Sequence, residues 1–530
     1  MRQLLTGIQR KDIWHRVSLS AVMSVIVVLA ATVFPRLMVA GGFPTTDEGM
    51  YAYSAQLIHA SLAAGTGLPD AGRLALYPML TSWVFSLSVN HMILLRLVDM
   101  FVAIAASLLF YRVIERESGS RVGGAIISLV FLFTINQPMF IQTGFKNSIY
   151  AAYIPLFLAL SLGLWNTNKE SRVWGWIGVL VALAVLLRET FFPFMIVGAV
   201  AIAMAHGRKT CLRYIIGAST ASLLLVLGIA LARGGVASLI EDYQDASLIY
   251  ASVAEQREIF FINNGIVSAR EAAVALIFGA LGCVAVFIGL FSRNHPASIR
   301  RFFFWLSIAI VPLLEPASKI GFPYHFAVCL PGLAGLAALG WQSAMAGRSM
   351  NAKLYFGAIA AVVSVAVLIP KATILANYWP QTRKALENTS TGSWPYEAIA
   401  GSNYLLAADA IRKVAPPNGT LSVSGFMLAL YPLTGMLPPS HKLSNLTATL
   451  IKLDLDGMRF KQALLECPPD VLMTTTRTDW PGADTLTRAV EDSGLYEQAA
   501  IIPFSPDKSY GRFGGTIYRK ISGSTKHCSA

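Results

Sequence analysis

The chain is 530 residues long, 55% hydrophobic and only 13% charged, with a formal net charge of +13. This composition excludes an ordinary soluble enzyme, because apolar stretches long enough to cross a bilayer recur from residue 17 to residue 376. The positive charge does not point to nucleic acid, since most Lys and Arg stand in short loops between apolar stretches, where they set topology and can meet anionic membrane lipids.

The first apolar stretch, 17–40, follows Arg2, Arg10, Lys11 and Arg16 and reads as an uncleaved first span, since no small-residue cleavage site precedes the polar loop after it. Ten more follow, at about 92–114, 122–140, 147–165, 173–187, 190–206, 213–232, 270–292, 301–315, 324–345 and 353–376. The sequence therefore predicts a polytopic α-helical membrane protein of about 11 spans. Residues 74–89 are apolar as well, but they are short, contain Pro78 and have no basic flank at their far end. With that stretch kept outside, every inner loop is basic: Arg112/Arg116/Arg121, Lys169/Arg172, Arg208/Lys209/Arg213, Arg293/Arg300/Arg301 and Arg348/Lys353. This expectation puts the N-terminus in the cytoplasm of a bacterial inner membrane. It makes 41–91 one large outer loop and 233–269 a second, amphipathic one carrying Glu241, Asp242, Tyr243 and Asp245.

After residue 376 the composition changes. Residues 377–530 hold no spanning stretch and alternate helical pattern (Tyr404–Val414, Ala483–Ser493) with strand-like runs at Leu421–Ser424, Val471–Thr475, Ala499–Phe504 and Thr516–Tyr518. The expectation is a transmembrane domain, 1–376, and a soluble α/β or α+β domain, 377–530, placed outside the cytoplasm by the odd number of spans. The cysteines, Cys211, Cys283, Cys329, Cys467 and Cys528, form no CxxC pair, which argues against a cysteine metal site. Cys467 and Cys528 fall in the outer segment, where an oxidising compartment would let them pair; the reading favours two free thiols.

Chemistry concentrates on the outer side. Phe43-Pro44-Thr45-Thr46-Asp47-Glu48-Gly49-Met50-Tyr51 places two adjacent carboxylates just past the first span. Acids at a membrane boundary are costly unless they face water or a polar cavity. One carboxylate of the Asp47-Glu48 pair there suits a general base, while its neighbour can hold the geometry, take a cation or accept from a sugar hydroxyl. A solvated loop, or a helix cap made by Thr46 or Asp47, is the competing explanation. Arg188-Glu189 stands between two apolar stretches with almost no loop: either a self-compensating ion pair, or a guanidinium suited to a phosphate. Lys146-Asn147, Lys319 and Tyr324-His325 open later spans on the same side, and Arg73 and Tyr77-Pro78 offer an acceptor entrance in the first loop. Arg96 and Asp99 share one face of a span and read as a pair. The soluble segment carries no GxSxG, HExxH or P-loop.

Together the early acidic pair before a Tyr-containing helix (Asp47 to Tyr51), Leu76-Tyr77-Pro78, Leu95-Arg96-Leu97, Leu186-Leu187-Arg188, Tyr324-His325 through Leu330-Pro331, and Leu430 to Gly435 with Pro438-Pro439 resemble the membrane-embedded GT-C glycosyltransferases. The branch is similar to bacterial protein mannosyltransferases and the lipid A aminoarabinose transferase. The resemblance implies a polyprenyl-phosphate-linked sugar as donor, a glycan, lipid or protein as acceptor, and inversion at the anomeric carbon. It implies Asp47 as base and Arg188 with the Lys319/His325 region as phosphate clamps. Relatives often carry a second acid where this chain reads Phe145-Lys146-Asn147-Ser148. No obligatory metal is therefore expected, a divalent cation staying open as an alternative. The rival readings are a transporter or flippase, an O-antigen polymerase or ligase, and a non-catalytic scaffold. The first predicts broken helices and inverted repeats; no repeat is visible in the sequence.

Overall fold

The computed structural model describes residues 19–69, 75–145, 149–163, 172–252, 257–290, 299–318, 322–346, 348–388, 394, 396–425, 427–453, 456–475, 482–503 and 514–521. Arg73, Lys146, Asn147, Lys319 and Cys528 lie outside them.

The first part of the chain is a helical bundle. In order it holds α1 (Leu19–Val39), α2 (Thr46–Ala63), α3 (Leu76–Thr81), α4 (His91–Ser118), α5 (Arg121–Ile135), α6 (Pro138–Ile141), α7 (Ile149–Gly163), α8 (Val173–Leu187), α9 (Phe192–His206), α10 (Arg208–Ala232), α11 (Val236–Ser252), α12 (Arg257–Glu271), α13 (Ala273–Leu290), α14 (Ile299–Ile310), α15 (Leu314–Ser318), α16 (Leu330–Met345) and α17 (Met350–Ala376). Residues of α5 and α16 are apolar or small around most of the circumference, so both helices are buried in the middle of the bundle. Side chains from α1, α4, α5, α7, α14 and α16 build its main core, with Phe131, Tyr153 and Trp305 among the largest buried members.

Every one of the predicted spans is at least partly helical, but the described residues do not confirm the count of 11. Among the described residues six helices are long and apolar enough to cross a membrane: Leu19–Val39, His91–Ser118, Glu189–His206, Arg208–Ala232, Pro323–Met345 and Asn351–Ala376. A seventh, Phe261–Glu271 with Ala273–Gly289, is bent by 80° at its break. The helices α5, α7 and α8 have 15 residues each, about 22 Å at 1.5 Å per residue, against a hydrocarbon core of about 30 Å. Two of them are cut by a polar residue at one end: Asn136 closes α5 and Arg188 closes α8. The described part of the stretch 74–89 holds α3 and a 3-10 segment, Ser82–Ser86.

The C-terminal part begins with α18 (Trp379–Glu387), α19 (Tyr396–Gly401) and α20 (Asn403–Val414), followed by β1 (Leu421–Val423), α21 (Leu430–Thr434), α22 (Leu446–Leu453), α23 (Met458–Glu466), β2 (Val471–Thr475), α24 (Ala483–Glu491), β3 (Tyr496–Ile502) and β4 (Gly515–Lys520). The strands form one sheet in the order β1-β2-β4-β3, with β1 and β2 parallel and the other pairings antiparallel. Alternation divides the side chains between two faces. Leu421, Val423, Val471, Met473 and Ile517 join one core, while Leu472 and Tyr518 join the other with Leu446, Leu450 and Phe460.

That first face also takes in Tyr53 of α2, whose ring lies 4.5 Å from the ring of Tyr431. Two glycines make this docking close. A Cβ on Gly49 would fall 2.4 Å from Ala429 backbone atoms, and one on Gly41 would fall 2.4 Å from Thr382 Cα. Thr382 fastens the second contact, accepting from Gly41 N and donating to the Met38 carbonyl. The sheet-bearing segment is thus seated directly on the loop that carries the acidic pair. Cys467 is disulfide-bonded, contrary to the expected free thiol, whereas Cys211, Cys283 and Cys329 are free.

Candidate functional site

Helix α2 starts at Thr45, the N-cap, whose backbone N–H donates to Glu48 Oε2 at 3.3 Å. A carboxylate in the first turn also suits the positive end of the helix dipole. Glu48 is completely buried and engaged on both oxygens. Arg96 Nε donates to Oε1 at 2.6 Å, Arg96 Nη2 to Oε2 at 2.7 Å, and Thr143 Oγ1 to Oε2 at 2.8 Å. Arg96 Nη1 in turn donates to the carbonyls of Ala40 and Gly42, just past the end of α1. Of the roles open to Glu48 in the sequence, holding geometry is the one this arrangement uses; its enclosure removes it from contact with a sugar hydroxyl.

The expected Arg96–Asp99 pair does not form. Asp99 instead receives Arg36 Nη1 at 2.7 Å, and Arg36 Nε donates to Asn136 Oδ1 at 2.7 Å. Tyr150 donates to the same Asn136 oxygen at 2.8 Å, and the Arg36 guanidinium lies over the Tyr150 ring. Tyr77 is likewise not at an acceptor entrance. It is buried, with its hydroxyl donating to Asp99 Oδ1, and burial followed by the Asp99 charge pushes its phenol well up from the usual range. Two acids and two arginines from α1, α2 and α4 therefore neutralise one another beneath the loop, as charges at this depth require.

Asp47 stands beside this lattice, half-buried. Tyr51 lies four residues further along α2, so the two side chains share one helix face. Tyr51, Tyr324 and Tyr153 all lie within electrostatic range of Arg188. The partner of Arg188 is not Glu189 but Glu315, on α15: Arg188 Nη2 donates to Glu315 Oε1 at 2.9 Å. Glu189 instead accepts from Tyr243 at 2.6 Å. His325 is buried, with Nε2 3.9 Å from the same Glu315 oxygen and its ring edge-on to Tyr324 at 4.3 Å. Arg188 at the end of α8 thus has Tyr51 of α2 and Tyr324 of the 3-10 segment before α16 among its electrostatic neighbours, and Asp47 stands one helical turn before Tyr51.

Sequence reading missed Arg36 and Glu315. Each left a signal: Arg36 is a cation four residues from the end of the first apolar stretch, and Glu315 is an acid at the end of another. Among the described residues no three His, Cys, Asp or Glu side chains converge on a point that could hold a metal.

The fold is thus that of a polytopic helical bundle with a small mixed sheet docked on α2. No family model and no curated protein matches the sequence. Among solved structures the chain is similar to ArnT from Cupriavidus metallidurans, crystallised bound to undecaprenyl phosphate. Identity is 13% and the TM-score 0.56, over 96% of this chain and 99% of that one. The likeness is one of fold, and it extends over nearly the whole of both chains.

Proposed function

We propose that this protein is a membrane glycosyltransferase that moves a sugar from a polyprenyl-phosphate donor to a hydroxyl of a glycan, lipid or protein acceptor. Asp47 removes the acceptor proton; the acceptor oxygen bonds to the anomeric carbon from the face opposite the phosphate. The bond from that carbon to the phosphate oxygen breaks, and its electron pair leaves as polyprenyl monophosphate. Negative charge grows on the leaving phosphate, where a guanidinium stabilises it most. The observation that carries this reading is that Asp47 and Tyr51 lie on one face of α2 while Tyr51 lies within electrostatic range of Arg188. The likeness to a structure holding undecaprenyl phosphate supports the donor class.

In this reading Tyr51, Tyr324 and His325 line the donor site with Arg188, and Arg73, Lys146, Asn147 and Lys319 stay proposed contacts on sequence grounds. Residues 377–530 form the extracytoplasmic domain of an inner-membrane protein, an assignment the Cys467 disulfide supports, since such bonds persist in oxidising compartments. The test is purified protein incubated with radiolabelled polyprenyl-phosphate sugars and scored for transfer to extracted lipids, glycans and proteins. Label in any acceptor class supports the reading; none with any donor opposes it.

A further inference from the structure

Among the described residues two Arg–Glu pairs are buried on both sides, and they are built differently. Glu48 takes both prongs of Arg96, at 2.6 and 2.7 Å, and the fork is closed. Glu315 takes only Nη2 of Arg188, and among the described residues Arg188 Nε has no hydrogen-bond partner although it is buried. The Tyr153 hydroxyl, within range of both Arg188 and Glu315, is also buried without a described partner. An open guanidinium prong and an unused hydroxyl in one buried cluster are vacant donors, and an anion with three oxygens can use them where a single carboxylate does not.

We propose that Glu315 is an internal anion that occupies the phosphate seat on Arg188 in the unliganded chain and returns to it to expel the polyprenyl monophosphate product. The proposal rests on the phosphate role of Arg188 argued above. Glu315 sits on α15, five residues long and preceded by the 3-10 segment Val311–Leu313, so its carboxylate can withdraw without moving a spanning helix. His325 Nε2, 3.9 Å from the same oxygen, gives the displaced carboxylate a neighbour. The need for expulsion comes from the chemistry. The donor is a phosphodiester with one negative charge, whereas the product is a monoester approaching two, with a second pKa of about 6. The cation that stabilises the leaving group therefore holds the product more tightly than the donor, and a resident carboxylate competing for the same guanidinium offsets that difference.

The experiment titrates purified full-length protein in detergent with two probes. One is a short-chain polyprenyl monophosphate, charged like the product; the other is its methyl diester, charged like the donor. In Glu315→Gln the monophosphate is expected to bind roughly tenfold tighter or more, the low end of coupling between close charges, and the diester to gain less. Unchanged or weaker monophosphate binding in folded Glu315→Gln overturns the proposal. Because removing one member of a buried pair can prevent folding, Glu315→Asp serves as the second variant. Its carboxylate stops one methylene short of Arg188, and the expected gain has the same sign and is smaller. Failure of both variants to fold would make Glu315 a structural strut and end the proposal. An Arg188→Ala arm separates the two claims. If it leaves both affinities unchanged, the phosphate role itself falls; if it weakens both while Glu315→Gln gives no gain, only the competition falls.

Discussion

Glu48 and Arg96 close a two-pronged ion pair, fully enclosed, that ties the first turn of α2 to α4 and, through Arg96, to the end of α1. The residue beside Glu48 is Asp47, so whatever fixes Glu48 also fixes the direction in which Asp47 is presented. Glu48→Gln leaves the Arg96 charge buried without a counter-charge, and is expected to lower stability by about 3–5 kcal/mol. Denaturant or thermal unfolding in detergent measures it. A loss near zero would show that the pair is not what holds the loop.

Arg188 should behave differently. Arg188→Ala is expected to weaken binding of a polyprenyl monophosphate, and Arg188→Lys to restore only part of it, since an ammonium keeps the charge but loses the planar fork. Equilibrium binding to folded variants decides. Full affinity in Arg188→Ala would leave Arg188 as a structural partner of Glu315.

Helix α11 is linked to the sheet-bearing segment by charge. Glu241 on α11 pairs with Lys452 on α22, and the hydrogen bond from Lys452, then its charge, hold the Glu241 carboxyl below its ordinary value of 4.5. A lowered folded-state value means that the unfolded chain binds the proton more readily. The pair's contribution is therefore full above the ordinary value and lost as pH falls through the lowered one. Both side chains are well exposed, so the contribution is at most about 1 kcal/mol. Wild type should exceed Glu241→Gln in stability at pH 7, and the difference should vanish below the lowered value. A difference that persists at the acid end would contradict the pairing.

In intact cells, a membrane-impermeant maleimide should label Cys467 only after a reductant is supplied, because the thiol is tied up in a disulfide and the proposed topology puts the segment outside the cytoplasm. Labelling without reductant would remove the disulfide. No labelling after reduction and unfolding of the outer segment would place it inside.

Much of the architecture is legible in the sequence, since hydropathy marks the apolar helical stretches of the bundle and short strand-like runs fall on all four strands. The spanning count is less legible. A polar residue such as Asn136 or Arg188 ends a helix inside what reads as a continuous apolar stretch. Asp47 and Arg188 stand out because charge is rare in this composition, but their partners do not. Arg96 lies three residues from Asp99 and joins Glu48 instead, while Arg188 passes over adjacent Glu189 for Glu315, 127 positions away. Proximity in sequence governs pairing on an isolated helix; in a bundle the neighbouring helices decide. The seating of the sheet on α2 through Gly49 and Ala429 likewise has no local signature.

The central claim is that Asp47 is the base, and its most direct measurement is the transfer rate of purified Asp47→Asn protein beside wild type, with a polyprenyl-phosphate sugar and an acceptor fraction that wild type labels. The substitution keeps the size of the side chain and touches neither Arg96 nor Arg188. Unfolding temperature and monophosphate affinity should therefore stay close to wild type, while the rate falls by a factor of about 100 to 10,000. Transfer at the wild-type rate in well-folded Asp47→Asn protein would contradict the account.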